Sequence, residues 1–329
     1  MLESVDFTTP QWLVNYYHII GFISFLLNFY SFFLLIFKSD KIDNLKYYLF
    51  VFQSQCYLVD IHITLLMQPQ PLHPLPAGYC TGIVAYFGVL SCHELMTILV
   101  GLMATEIAAL AMCFLRKYLA FRRMKRVPTS IRMITSIVMC LVLFIVFIVS
   151  NLTSCGLTVE GEYELIKVSY PLYLQSFQSL PNFSIYHTNR NWTVFLSSVF
   201  AGIIFAGILF ASTTVRMFSI LMDLQGNTSM LNFRKQKTAL VSLISQLATS
   251  TVFLLPPGVL AGLSLLDVEY SQESTRILLV LFSTHASVNV LVLVFTTPPF
   301  RKFTLFWMDS RRTSMVVSIV STRHHSIAH

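Results

Sequence analysis

Seven long apolar stretches alternate with shorter polar ones along this chain, at roughly 13–37, 47–67, 81–112, 133–154, 193–217, 239–262 and 276–297. Each reaches the ~20 mostly apolar residues that a helix needs to cross a bilayer. Lipid offers the backbone no water, so such a stretch must satisfy its own hydrogen bonds, and a helix does that. The pattern predicts an all-α membrane protein built as a seven-transmembrane helix bundle. No polar stretch exceeds about 40 residues, too little for a separate soluble domain. One membrane domain over 1–305 and a tail over 306–329 are expected. Glu3 and Asp6 precede the first stretch, where a signal peptide would carry bases, and the stretch outruns an h-region of about 7–15 residues. It reads as an uncleaved span.

Prolines punctuate two places. Pro69, Pro71, Pro74 and Pro76 cannot continue a helix and predict a stiff, extended loop between spans 2 and 3. Pro256-Pro257-Gly258 sits toward the end of span 6, where it either bends the helix or ends it.

Composition agrees with the pattern. The chain is 55% hydrophobic and 11% charged, with a mean hydropathy of +0.69; soluble domains carry roughly a quarter charged residues. The net charge of +7 acquires meaning from its distribution. Nineteen of the 22 Lys and Arg residues fall in alternate gaps, at 38–46, 116–132, 216–237 and 301–323, and only Lys167, Arg190 and Arg276 fall on the other side. Basic residues stay cytoplasmic, so the N-terminus is expected outside and the C-terminus inside. The charge then faces anionic lipid rather than nucleic acid.

Of six cysteines, Cys56, Cys92, Cys113 and Cys140 fall within or at the inner ends of spans, where thiols pack as small apolar groups. Cys80 and Cys155 lie at the oxidising side, which predicts a Cys80–Cys155 disulfide. Asn-x-Ser/Thr occurs at Asn151, Asn182, Asn191 and Asn227; Asn182 is outside and well away from the membrane, the expected glycan acceptor.

Ionisable groups inside spans are costly and point to function. They are Asp60 and His62 in span 2, His93, Glu94 and Glu106 in span 3, and His285 in span 7. Asn28, Asp60 and Asn289 lie at comparable depth, so a polar cluster joining spans 1, 2 and 7 is expected, either a clamp or a switch. Catalysis is not expected. His93-Glu94 lacks a second His at position 97, so the helical zinc-hydrolase spacing is absent, and no metal or cofactor is expected. No phosphate loop or nucleophile elbow is present. A channel or carrier is the competing reading, but neither a filter loop nor a duplicated half with broken midplane helices is visible. The 28 Phe and 14 Tyr mostly fill helix faces. A pocket between outer helix halves would be largely apolar, with His93, Glu94 and His285 as polar contacts for a small ligand.

Several segments, taken in order, resemble one family. They are Trp12-Leu13-Val14-Asn15-Tyr16-Tyr17-His18-Ile19-Ile20-Gly21 with Asn28, Gln53-x-x-Cys56 with Asp60-Ile61-His62, and the Gln68-Pro69-x-Pro71-Leu72-x-Pro74 loop followed by Gly78-Tyr79-Cys80. Cys113-Phe114-x-Arg116-Lys117, Leu243-x-x-Gln246 and Pro298-Pro299-Phe300-Arg301 continue the series. Together they resemble nematode chemoreceptors of serpentine receptor class I, within the Str group, with class H the nearest rival. The resemblance implies a G-protein-coupled, odorant-type receptor at the plasma membrane or sensory cilium that binds a small molecule and activates a heterotrimeric G protein. Departures from rhodopsin-like receptors are visible. With Cys80 as the disulfide cysteine, Glu106 falls near the acidic position of Asp/Glu-Arg-Tyr, but Ile107 follows it. The less favoured register puts Arg116-Lys117-Tyr118 there. Asn289-Val290-Leu291-Val292-Leu293 lacks the Pro and Tyr of Asn-Pro-x-x-Tyr. The G-protein-facing surface is expected at Arg116, Lys117, Arg122 and Arg123 together with Arg234, Lys235 and Lys237. The oligomeric state is not legible.

Overall fold

The computed structural model of the chain describes residues 5–39, 44–128, 130–225, 229–265 and 271–306. Apart from Phe306, the expected tail lies outside the described residues, as do Asn227 and the side chain of Lys235.

Seven helices among the described residues are long and apolar enough to span a membrane. They are α1 (Gln11–Phe37), α2 (Leu45–Ile61, extended by a π-helical turn His62–Met67), α4 (Cys92–Met124), α5 (Ile131–Thr153), α8 (Arg190–Asp223), α9 (Met230–Leu265) and the pair α10 (Gln272–Ser283) and α11 (His285–Thr296). Consecutive spans pack side by side, and α11 closes the ring against α1 and α2. The centre is α4, packed on α2, α5, α8 and α9.

The burial pattern is that of a membrane protein. On α1, Ser24, Asn28 and Ser31 recur at helical spacing and are fully buried, whereas Phe22 and Phe29 are 64% and 70% exposed. Small and polar residues let helix backbones approach and bond, and the large apolar groups face lipid.

Span 3 corrects the sequence expectation by about a third of its length. Residues 81–91 are apolar, but they form a one-turn helix α3 (Ile83–Tyr86) and a turn in which Gly88 has φ +62°. The membrane helix starts only at Ser91, whose side chain caps the Glu94 N–H while Glu94 reaches back to the Ser91 N–H. Such a reciprocal cap contributes about 0.5–2 kcal/mol. The helix then runs to Met124, so Arg116–Arg123, expected in a loop, are helical. Within α9, Pro256 and Pro257 lie inside a helix that continues to Leu265, so the double proline does not end it.

The end of the bundle that carries the N-terminus is capped by a small antiparallel sheet, β1 (Pro69–Pro71), β2 (Ala77–Cys80) and β3 (Phe183–Ile185), in the order β1-β2-β3. Two short helices, α6 (Val159–Ser169) and α7 (Leu174–Gln178), lie over it and bury Ile166 and Phe177 against Leu72, Tyr79 and Ile185. The N-terminal segment straps this cap down. Phe7 packs edge-on to Phe177, and the Thr9 hydroxyl lies 3.0 Å from that of Tyr79. Asp6 pairs with the buried Arg276. Hydrogen bonds from Thr8, then the Arg276 charge, hold the Asp6 carboxyl below its ordinary pKa. At the opposite end, α12 (Pro298–Thr304) follows α11 among the basic residues.

Candidate functional site

The cap is pinned by one residue pair that the sequence reading missed. Cys80 is bonded to Cys92, not to Cys155, which is free and buried. The Cys80–Cys155 expectation treated Cys92 as mid-span; with the helix starting at 92, that cysteine stands at the rim, its Cα 5.6 Å from that of Cys80. Asn182 completes the bracket. Its Oδ1 accepts from the Cys92 N–H at 2.7 Å, and its Nδ2 donates to the carbonyls of Leu90 and Ala85 at 2.9 and 3.3 Å. The nitrogen that a glycan would occupy thus donates to two backbone carbonyls. Beneath the bracket, a Cβ at Gly82 would fall 2.4 Å from the Leu66 carbonyl oxygen, so only glycine allows this approach of loop to helix.

Under this roof lies a cavity of about 1000 Å³ between α4, α5, α8, α9 and α10. Its walls are apolar and include Met96, Leu99 and Met103 of α4, Phe195 and Ile203 of α8, and Phe282 of α10. Volume and lining suit a small organic molecule, and the methionines can adapt to its shape. Polar atoms enter near the roof: Gln70, Thr275 and the Tyr186 hydroxyl. The amide of Gln70 and the hydroxyl of Thr275 are buried without a hydrogen-bond partner. His73 also lines the cavity; burial lowers its pKa and favours the neutral ring.

None of the three expected ligand contacts lines this space. Glu94 is exposed and spent on its cap. His93 stands behind Tyr186, its Nδ1 3.2 Å from the Tyr186 hydroxyl, and Tyr186 stacks on Trp192 at 4.6 Å. His285 is buried deeper, in a polar core. A span starting at 81 would place His93 and Glu94 a dozen residues deep, whereas α4 begins at Cys92 and holds them at its rim.

The polar core is the second constellation. The amide of Asn28 donates to the Ser24 carbonyl at 2.9 Å and accepts from the Gln53 amide at 2.7 Å. Separately, His285 Nε2 lies 3.0 Å from Glu106 Oε1 and 2.6 Å from Asn289 Nδ2, with Cys56 and Ser250 adjacent. Asn28, Asp60 and Asn289 thus do not bond to one another. Asp60 is buried with its Oδ1 unpaired. Glu106 is fully buried at mid-span. The register that set it at the cytoplasmic acidic position is therefore corrected, and Arg116-Lys117-Tyr118 lies nearer that end of α4.

At the basic end, Arg123, Arg234 and Lys237 are exposed, and Arg116 and Arg122 are half-buried. Lys117 departs from the expected surface role: it is buried, and its Nζ donates to Gln236 Oε1 of α9 at 2.6 Å.

Seven spans, a roofed apolar cavity and a basic opposite end agree with what the comparisons give. No curated protein matches the chain. The family model described as "Serpentine type 7TM GPCR chemoreceptor Sri" matches residues 3–304. That is nearly the whole chain and all seven spans. The chain therefore belongs to the Sri family of serpentine-type seven-transmembrane chemoreceptors.

Proposed function

We propose that the protein is an odorant-type chemosensory receptor, of the Str group, at the plasma membrane of a sensory cell or its cilium. The cap and N-terminus face outside and the basic end faces the cytoplasm. A small, mostly apolar molecule with one neutral hydrogen-bonding group occupies the cavity, and a heterotrimeric G protein docks at the basic end. The observation that carries this is the large apolar cavity with unpaired Gln70 and Thr275 in its wall. Buried polar groups without partners cost about 1–3 kcal/mol each. A ligand carbonyl or hydroxyl offers them partners in the bound state.

Binding biases signalling only if it favours one conformer over another. The cavity touches α9 through Pro256 and Pro257, and the other end of α9 carries Arg234 and Lys237. A shift of that helix would uncover a cleft beside Arg116–Arg123 for an acidic or amphipathic Gα segment. Against a channel or carrier, the basic half of the bundle is filled by apolar groups, among them Phe52, Phe114, Phe210, Leu243 and Phe300. The deciding experiment is a reporter-cell screen of volatile and metabolite panels beside flux measurements in liposomes. Ligand-dependent G-protein activation without flux is expected; flux without activation would replace this reading with the carrier one.

A further inference from the structure

Cys56 of α2, Glu106 of α4 and His285 of α11 bring one sulfur, one carboxylate oxygen and one imidazole nitrogen within 4.8 Å of one another. All three residues are 98% buried or more, and no two share a helix. We propose that they bind one divalent transition-metal ion of the zinc class, with the Asn289 carbonyl oxygen as fourth donor.

The cluster is near the size such an ion needs: the Cys56–Glu106 edge matches, and the two contacts of His285 Nε2 must open on binding. Bonds of about 2.3 Å to sulfur and about 2.0–2.1 Å to nitrogen and oxygen put tetrahedral edges at roughly 3.3–3.6 Å. Sγ of Cys56 lies 3.6 Å, and Nε2 of His285 3.0 Å, from Glu106 Oε1. The Asn289 amide lies 2.6 Å from Nε2 and 3.7 Å from Sγ. It belongs to the same face as His285, one turn along.

Protein hydrogen bonds alone satisfy this cluster poorly. Nε2 of His285 holds at most one proton, so it cannot donate to Glu106 and accept from Asn289 together. Glu106 Oε2, His285 Nδ1 and Asn289 Oδ1 are buried without a partner. With a central cation, one amide rotation turns Oδ1 of Asn289 toward the other donors, and four lone pairs converge on one charge. Charge balances too: a dication with a carboxylate, a thiolate and a neutral imidazole is neutral, which a low-dielectric core requires. Binding releases the Cys56 proton. The thiolate and imidazole select a borderline-soft ion over magnesium or calcium, which take oxygen donors.

The chain also breaks its own helices beside this cluster. Span 7 is interrupted at Thr284, directly before His285, and α2 loosens into its π-helical turn at His62, six residues after Cys56. Local π-helix often accompanies functional sites. The ion would fasten α2, α4 and α11 to one another below the ligand cavity.

The test uses untagged full-length receptor in lipid nanodiscs, stripped with a chelator and titrated with cobalt(II) as the optical probe. One equivalent should give a thiolate-to-cobalt charge-transfer band. The band should vanish in Cys56→Ala and Glu106→Gln variants that keep the wild-type thermal transition. X-ray absorption of the zinc-loaded wild type, which needs no variant to fold, should show one sulfur among nitrogen and oxygen neighbours. No band in folded wild type, a band that survives Cys56→Ala, or a shell without sulfur would each overturn the site. The receptor reading does not depend on it, since no odorant or G protein enters the measurement.

Discussion

Lys117 Nζ and Gln236 Oε1, 119 residues apart in sequence, meet at 2.6 Å and join α4 to the basic end of α9. The Lys117 ammonium also lies 5.2 Å from the centre of the Phe121 ring. A charged donor in a half-buried setting contributes about 1.5–3 kcal/mol, and each ~1.4 kcal/mol is a factor of ten in a two-state population. If α9 swings out on activation, this contact belongs to the resting state. Gln236→Leu keeps the size and removes the acceptor, so ligand-independent G-protein activation should rise roughly tenfold at matched surface expression. Basal signalling equal to wild type would show that the contact does not hold the resting conformer.

The polar atoms at the cavity roof make an opposite pair of expectations. Gln70→Leu removes two buried polar atoms that lack partners, so the unliganded receptor should keep or gain thermal stability. The same change should raise the half-maximal concentration of an agonist bearing a carbonyl or hydroxyl by about 10–100-fold, for a lost interaction of roughly 1–3 kcal/mol. Agonists of matched shape without that group should respond as before. An equal loss for both kinds of agonist would assign Gln70 to packing.

A third expectation concerns pH at the cap. Glu162 of α6 is buried beneath β3, and burial raises its pKa from 4.5 to about 7, despite hydrogen bonds from the Ser184 side chain and the Ile185 backbone. The folded cap therefore holds a proton that the unfolded segment gives up near 4.5. Stability is greatest below that lower value and is lost as pH rises toward and through about 7. Amide exchange in 159–169 and 183–185, corrected for intrinsic rates, should be faster at pH 8 than at pH 5. Glu162→Gln should flatten that difference. A wild-type cap equally protected at both pH values would refute the assignment.

The sequence carried the fold further than the site. Hydropathy located all seven spans, because burial in lipid is a property of whole segments. It misjudged the start of span 3, since Ile83, Val84, Phe87, Val89 and Leu90 are as apolar as the helix that follows. What separates them is local: Gly88 with positive φ and the Ser91-x-x-Glu94 capping box. That box is legible in the sequence and marks Glu94 as a cap and not a ligand contact. The meeting of Cys56, Glu106 and His285 was not legible, because it depends on the rotation and depth of three helices. Only His285 and Asn289, one turn apart, announce a shared face. The cavity wall was hidden for another reason: Met and Phe stripes look the same whether they face a neighbour, lipid or an empty space.

The last expectation follows from the corrected cysteine pairing. Cys80–Cys92 closes a short loop, and a bridge of this kind contributes about 2–4 kcal/mol through the unfolded state. Proteolysis without reductant should yield a linked peptide containing residues 80 and 92, with Cys155 recovered as a thiol. Cys92→Ala should lower stability by about that amount and loosen the roof, because the Asn182 bracket loses its covalent anchor. Asn182→Ala should reproduce part of the effect with the bridge intact, since it releases the Cys92 N–H and the carbonyls of Leu90 and Ala85. Cys155→Ala should leave the linked peptide unchanged, because its thiol takes no part in the bridge. A linked peptide joining 80 to 155 would restore the first pairing and remove the basis for placing Cys92 at the rim.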